Sequence, residues 1–225
     1  MKGSPVPTVH VVDDDASMRQ ALGRLLGAHG YEVRQYASAG DFLLAWPVDQ
    51  PGCLLLDVRM PGPSGLDLQQ ALRQRPDAPP VVFLTGYGDI PMSVAAMRMG
   101  AVDFLTKPVD REALLAAVST ALERDARRRE DERRRQEVRR CYESLTDRER
   151  AVFEQVVVGR LNKQIASTLN TCERTVKAHR AHVMEKMRVH SVAELVHVAV
   201  HLETDAGQAA RASRPAPSVS VHMDN

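Results

Sequence analysis

Aromatic side chains are scarce in this chain: one Trp, four Tyr and four Phe among 225 residues. Any core must therefore be aliphatic, and the 44% hydrophobic fraction is enough to build one. Cysteine is also sparse. Cys53, Cys141 and Cys172 lie far apart. No pair has metal-ligand spacing, and an odd count gives no disulfide framework. This usage fits a reducing compartment. No stretch reaches the roughly 18 apolar residues of a membrane span, and the N-terminus shows no signal-peptide pattern. The expectation is a cytoplasmic protein with no membrane partner. Net charge is nearly absent too, at +1. A polyanion partner would need a local patch rather than the whole-chain charge.

Within the first ~120 residues, short apolar runs alternate with helical patterns. Strands are predicted at 8–12, 32–36, 53–57, 81–85 and 102–106. Amphipathic stretches lie between them: Met18, Leu22, Leu25 and Leu26; then Phe42, Leu43 and Trp46; then Leu66, Leu68 and Leu72; then Val94 and Met97. Ser38, with Asp41 three residues on, reads as a helix-start cap. Alternating strand and helix predicts a doubly wound α/β domain with a parallel sheet, its site at the carboxyl edge of the strands. Chemistry gathers at that edge. Asp13, Asp14 and Asp15 follow the first strand, and Asp57 follows the third. Thr85 and Lys107 follow the last two. Crowded carboxylates stay ionised only beside a cation, and Mg²⁺ is the hard ion suited to oxygen ligands. Acids, a hydroxyl and a lysine at four strand ends point to phosphoryl transfer.

Residues 110–122 read as a closing helix with Leu114, Leu115, Val118 and Leu122 on one face. From Glu123 to Arg140 the only apolar residues are Ala126 and Val138. This predicts a solvated helical linker, since a coiled coil would need an apolar seam. A second domain then opens with Thr146-Asp147-Arg148-Glu149, a capping box. Val152, Phe153, Val156 and Val157 form its first buried face, and Gly159 suits the helix C-terminus. Helices follow from Lys163 to Leu169 and from Glu173 to Met187. A last helix opens at a second capping box, Ser191 with Glu194, and places Leu195, Val198 and Leu202 inward. Four helices with a tight turn between the second and third describe a helix-turn-helix module. Between Arg160 and Arg188 there are seven Arg and Lys residues against two acids. This is the local basic footprint that DNA binding needs.

These motifs resemble a known family. Leu-Thr-Gly-Tyr-Gly-Asp-Ile-Pro-Met at 84–92 and Gly-Ala-Val-Asp-Phe-Leu-Thr-Lys-Pro at 100–108 look like the receiver domain of FixJ-like two-component response regulators. Asn-Lys-Gln-Ile-Ala at 162–166 and Thr-Val-Lys-Ala-His-Arg at 175–180 look like the NarL/FixJ (LuxR-type) output domain. The resemblance covers about residues 7–203. It implies a (βα)5 receiver over 7–122 and a helix-turn-helix domain over 144–204; composition makes 123–143 between them a charged helical linker and the Ala, Ser, Pro and Arg residues of 205–225 a disordered tail. It makes Asp57 the phosphoacceptor from a sensor histidine kinase. Asp13, Asp14, Asp57 and the Arg59 carbonyl would hold Mg²⁺, with Lys107 and Thr85 on the phosphoryl oxygens and Phe104 as the aromatic switch. Asp15 is not expected to be a ligand. The bond before Pro108 is a candidate cis peptide.

The switch is expected to remodel the surface around 89–107. Met92, Met97 and Met99 there give an adaptable apolar patch, with Met97 itself expected in the core. In the output domain Lys177, Ala178 and Ala181 face the DNA bases, while Thr175, Arg180, Asn162 and Lys163 contact phosphates. A homodimer formed on phosphorylation, through Val192, Val196 and Ala199 of the last helix, would read promoter DNA and engage RNA polymerase. No enzymatic role is expected beyond self-phosphorylation and autodephosphorylation at Asp57.

Cys172 departs from the serine common at its position. A thiol is a poor cap, which costs on the order of 1 kcal/mol, and a thiol at a helix N-terminus can be redox-sensitive. Two other readings compete. A dehalogenase-like phosphatase would need a second Asp where Arg59 stands. A constitutive DNA-binding regulator would carry a receiver that no longer switches.

Overall fold

The computed structural model describes residues 6–45, 50–73, 75, 77–86, 96–200 and 202. Trp46, Met92, Val94 and the tail from 205 lie outside the described residues. The chain divides into two compact units, Met1–Glu130 and Asp131–Asn225.

The first unit is a five-stranded parallel sheet in the order β2-β1-β3-β4-β5. Its strands are β1 Thr8–Val12, β2 Glu32–Tyr36, β3 Gly52–Asp57, β4 Val81–Thr85 and β5 Asp103–Thr106. The central strands β1, β3 and β4 are buried along their whole length. That is why they read as continuous apolar runs rather than alternating ones. Side chains alternate between the two faces. Val12, Leu54, Leu56 and Phe83 point to one face and pack with Phe42 of α2 (Ala39–Leu44) and Leu68 and Leu72 of α3 (Gly65–Leu72). Val9, Val11, Leu55, Val82 and Leu84 point to the other. They pack with Leu22 and Leu26 of α1 (Ala16–Ala28) and Leu114, Val118 and Ala121 of α4 (Arg111–Glu143).

The caps expected from sequence form. Ser38 accepts the Asp41 N–H, and Ser64 with Asp67 adds a capping box to α3. Two packing expectations need correction. Met97 is 49% exposed, and the inward position belongs to Ala96 beside it. The helical stretch after 122 is not solvated throughout. Asp125 is buried, and Cys141 and Tyr142 pack against the core of the second unit.

In the second unit, α5 (Asp147–Val157) opens with the Thr146/Glu149 capping box and ends before Gly159, whose φ of +80° few residues other than glycine adopt. Then come α6 (Asn162–Thr168), α7 (Glu173–Lys186) and α8, over 192–200. Val152, Phe153, Val156, Ile165, Val176, Val183 and Leu195 fill the largely aliphatic core. On α8, Ala199 is core rather than surface and Val192 is half-buried. Val196 and Val200 carry the exposed apolar face. The register of that helix is therefore turned slightly from the one the sequence suggests.

Candidate functional site

Parallel strands deliver their C-terminal residues to one edge. Here Asp13 and Asp14 follow β1, Asp57 ends β3, Thr85 ends β4 and Lys107 follows β5. Asp13 is fully buried and Asp57 nearly so, whereas Asp14 is exposed. Lys107 bridges the two buried carboxylates, its Nζ lying 2.6 Å from Asp13 Oδ2 and 2.8 Å from Asp57 Oδ2. Burial pushes the Asp57 pKa up, against the pull of the Lys107 ammonium, and leaves it above the usual carboxylate value. Burial alone would lower Lys107, but the Asp13 and Asp57 carboxylates outweigh it and raise the lysine.

Backbone groups hold these side chains in place. The Arg59 N–H donates to Asp57 Oδ1 at 3.3 Å and the Asp15 N–H to Asp13 Oδ1 at 2.9 Å. Arg19 donates to the Asp13 carbonyl at 2.6 Å. Asp15 itself caps α1, accepting the Ser17 N–H at 2.8 Å. The Lys107 N–H donates to the Thr85 carbonyl at 2.6 Å, and the Lys107–Pro108 bond is cis. Phe104 is half-buried, its ring centroid 6.2 Å from that of Phe83.

Carboxylate oxygens of Asp13, Asp14 and Asp57 all lie within 4.8 Å of one another. Three carboxylates beside one ammonium leave a net negative, all-oxygen cluster. That donor set fits a hard divalent ion, and Mg²⁺ is the ion receiver domains generally bind at this acidic pocket.

Gly65 was not singled out from sequence. A Cβ there would lie 2.2 Å from the Asp57 carbonyl oxygen and 3.0 Å from Leu56 Cγ. Only glycine lets α3 start against the end of β3. The one sequence signal was its place directly after the cap residue Ser64.

In the second unit the residues expected at DNA divide by exposure. Lys177, Ala178 and Ala181 are exposed on α7, away from its buried Val176 and Val183. Lys163 is exposed, and Asn162, Thr175 and Arg180 are half-buried. Arg180 Nη1 donates to Asn162 Oδ1 at 3.0 Å, tying α7 to α6. Cys172 is the exposed N-cap of α7 and gives no side-chain cap bond. Its Sγ lies 3.2 Å from Thr175 Oγ1. The hydrogen bond with that hydroxyl is the main reason the thiol pKa falls below its ordinary value.

Comparison with known proteins agrees with both units. Residues 9–119 match the response regulator receiver domain, and 143–199 match the bacterial regulatory proteins of the luxR family. Nodulation protein W of Bradyrhizobium diazoefficiens is 47% identical over 188 residues, covering 84% of this chain and 83% of that protein. The transcriptional regulatory protein FixJ of Azorhizobium caulinodans is 46% identical over 193 residues, covering 85% and 91%. Among solved structures, the response regulator StyR superposes with a TM-score of 0.78 at 46% identity, over 86% of this chain and 98% of that one. Full-length FixJ from B. japonicum gives 0.53 at 38% identity, over 89% and 98%. No described helix is long and apolar enough to cross a membrane. The chain belongs to the NarL/FixJ-type two-component response regulators, phosphorylation-dependent DNA-binding regulators of transcription.

Proposed function

We propose that Asp57 is the phosphoacceptor of this regulator. The observation that carries the reading is the Lys107 bridge to Asp13 and Asp57 at 2.6 and 2.8 Å. An Asp57 carboxylate oxygen attacks the phosphorus of a phosphohistidine on a sensor kinase. The P–N bond breaks, and an acyl phosphate forms. Asp13, Asp14, Asp57 and the Arg59 carbonyl hold Mg²⁺, which supplies positive charge beside the phosphoryl oxygens. Lys107 pairs with one of those oxygens, and Thr85 donates a hydrogen bond to another. Thr85 moves inward as it does so, and Phe104 follows into the space vacated. The chain's own catalysis goes no further than taking the phosphoryl group from a donor and losing it to water.

The surface remodelled by that movement forms a homodimer. Lys177, Ala178 and Ala181 read bases in the major groove of promoter DNA, and Thr175, Arg180, Asn162 and Lys163 set register on the phosphates. The dimer acts in the cytoplasm as an activator that engages RNA polymerase. Sedimentation velocity of the full chain with Mg²⁺, with and without beryllofluoride, tests the reading. The expected result is a monomer that becomes a dimer only with the phosphoryl mimic, and an Asp57→Asn variant that stays monomeric. An unchanged mass in the wild type overturns phosphorylation-driven dimerisation.

A further inference from the structure

Among the described residues, a second cluster brings together side chains able to share a metal ion, far in sequence from the receiver acids. Glu149, His179 and His182 each offer a ligand atom, all within 4.8 Å of one another. The two histidines are three residues apart on α7 and share a face of that helix. Glu149 comes from the first turn of α5, where its carboxylate is buried.

The two oxygens of that carboxylate have different duties. Oε2 accepts the Thr146 backbone N–H at 2.8 Å and the Lys186 ammonium at 2.6 Å, which completes the cap and ties α5 to α7. Oε1 faces His182 Nδ1 at 3.7 Å, too far for a hydrogen bond. His179 is half-buried, and the His182 side chain is 60% exposed. The Lys186 hydrogen bond holds Glu149 ionised, with its pKa down at about 2.

We propose that Glu149 Oε1, His179 and His182 form a second cation site, for a borderline divalent ion of the zinc class, with water in the fourth position. Two imidazole nitrogens and one carboxylate oxygen select zinc-like ions over Mg²⁺. Bonds of about 2.0–2.2 Å in a tetrahedral shell put ligand atoms roughly 3.4 Å apart. The Glu149–His182 separation is already close to that spacing, and small rotations of the exposed His182 ring and the half-buried His179 ring close the remainder. Lys186 neutralises the Glu149 charge, so binding is weaker than at closed four-ligand sites. The ion joins α5 to the helix that carries Lys177, Ala178 and Ala181. It fixes that helix from the side next to its exposed face. The site stands independently of the chemistry proposed at Asp57.

The test is calorimetric titration of the full chain with Zn²⁺ in excess Mg²⁺, which keeps the receiver acids occupied. The variants are His179→Gln, His182→Gln and Asp13→Asn. One zinc equivalent should bind the wild type and Asp13→Asn alike, and each histidine change should weaken it at least about tenfold. His182 is exposed and fills no core position, so H182Q decides the case even if H179Q misfolds. No zinc binding to the wild type, unchanged affinity in H182Q, or loss of the site in Asp13→Asn each overturns the proposal.

Discussion

The Asp125 carboxylate accepts the Gly52 backbone N–H at 3.0 Å, across 73 positions of sequence. Arg128 and Arg129 close on the same carboxylate at 2.6 and 2.7 Å. Arg129 also reaches the Gln50 carbonyl. This clasp pins α4 to the start of β3, at the opposite end of the strands from Asp57. Asp125→Ala strands the Gly52 donor and releases two guanidinium groups that can turn toward water. It should destabilise the first unit by about 2–3 kcal/mol. Urea unfolding followed by fluorescence of Trp46, the single tryptophan and a residue of that unit, measures the loss. Asp125→Asn, which keeps an acceptor for Gly52, should fall between the two.

Lys107 is the cation between two buried carboxylates, so its removal should act on phosphorylation more than on folding. Lys107→Ala is expected to slow labelling by acetyl phosphate at least about 100-fold. Phosphate-affinity gels of time courses report the rate. Labelling at the wild-type rate would remove Lys107 from the chemistry.

His10, on β1, is buried beside Tyr36 and Phe42, its Nδ1 3.2 Å from the Tyr36 hydroxyl. Burial, with the Arg34 charge adding to it, pushes its pKa down to about 4 from 6.5. Above pH 6.5 the imidazole is neutral in both folded and unfolded chains and has no effect on pH dependence. As pH falls from there to about 4, the unfolded chain takes a proton that the fold refuses. Stability should therefore drop by about 2–3 kcal/mol across that window. Urea midpoints at several pH values should show the slope in the wild type and a flatter profile in His10→Asn.

Cys172 leaves the first turn of α7 without a side-chain cap bond. Cys172→Ser should stabilise the second unit by about 0.5–1 kcal/mol, read from its thermal transition. The exposed thiol, with its pKa lowered by the Thr175 hydroxyl, makes peroxide the second arm. Peroxide should weaken DNA binding of the wild type and spare the serine variant. Equal losses in both would end the redox reading.

If the proposed DNA contacts hold, Lys177→Ala should cost about 1–3 kcal/mol and relax preference at one base position. Arg180→Gln should weaken all sequences alike and reduce the salt slope by about one. Binding isotherms on mutated operators at several salt concentrations separate the two. If Lys177→Ala weakened every operator equally, its assignment to a base would fail.

The sheet was legible because its central strands are buried on both faces and each ends in a residue with chemistry. Asp13, Asp57 and Thr85 could be brought to one edge on paper for that reason; the direct bridge from Lys107, which follows the edge strand β5, to Asp13 and Asp57 could not. Capping boxes at Thr146 and Ser191 fixed helix starts through short-range rules that hold wherever the chain goes. What stayed hidden depends on long-range packing. The clasp of Asp125 on Gly52 makes one carboxylate inside an arginine-rich stretch a buried anchor. No local pattern separates it from Glu130 or Asp131. Met97 and Ala199 failed for a different reason. On an amphipathic helix a rotation of one position exchanges core and surface, and apolarity alone does not fix that rotation. The Arg180–Asn162 bond was likewise out of reach, since each residue looked like a phosphate contact by itself.

The contact between position 65 and the Asp57 carbonyl carries a consequence for how this protein can vary. Any side chain at 65 must displace either the helix or the strand that presents Asp57. A saturation-mutagenesis survey should thus find Gly65 as intolerant as Asp57, although it has no functional group to lose. Drift at that position is closed to descendants of this sequence by volume alone, and a map of intolerance would mark two neighbouring positions for unrelated reasons.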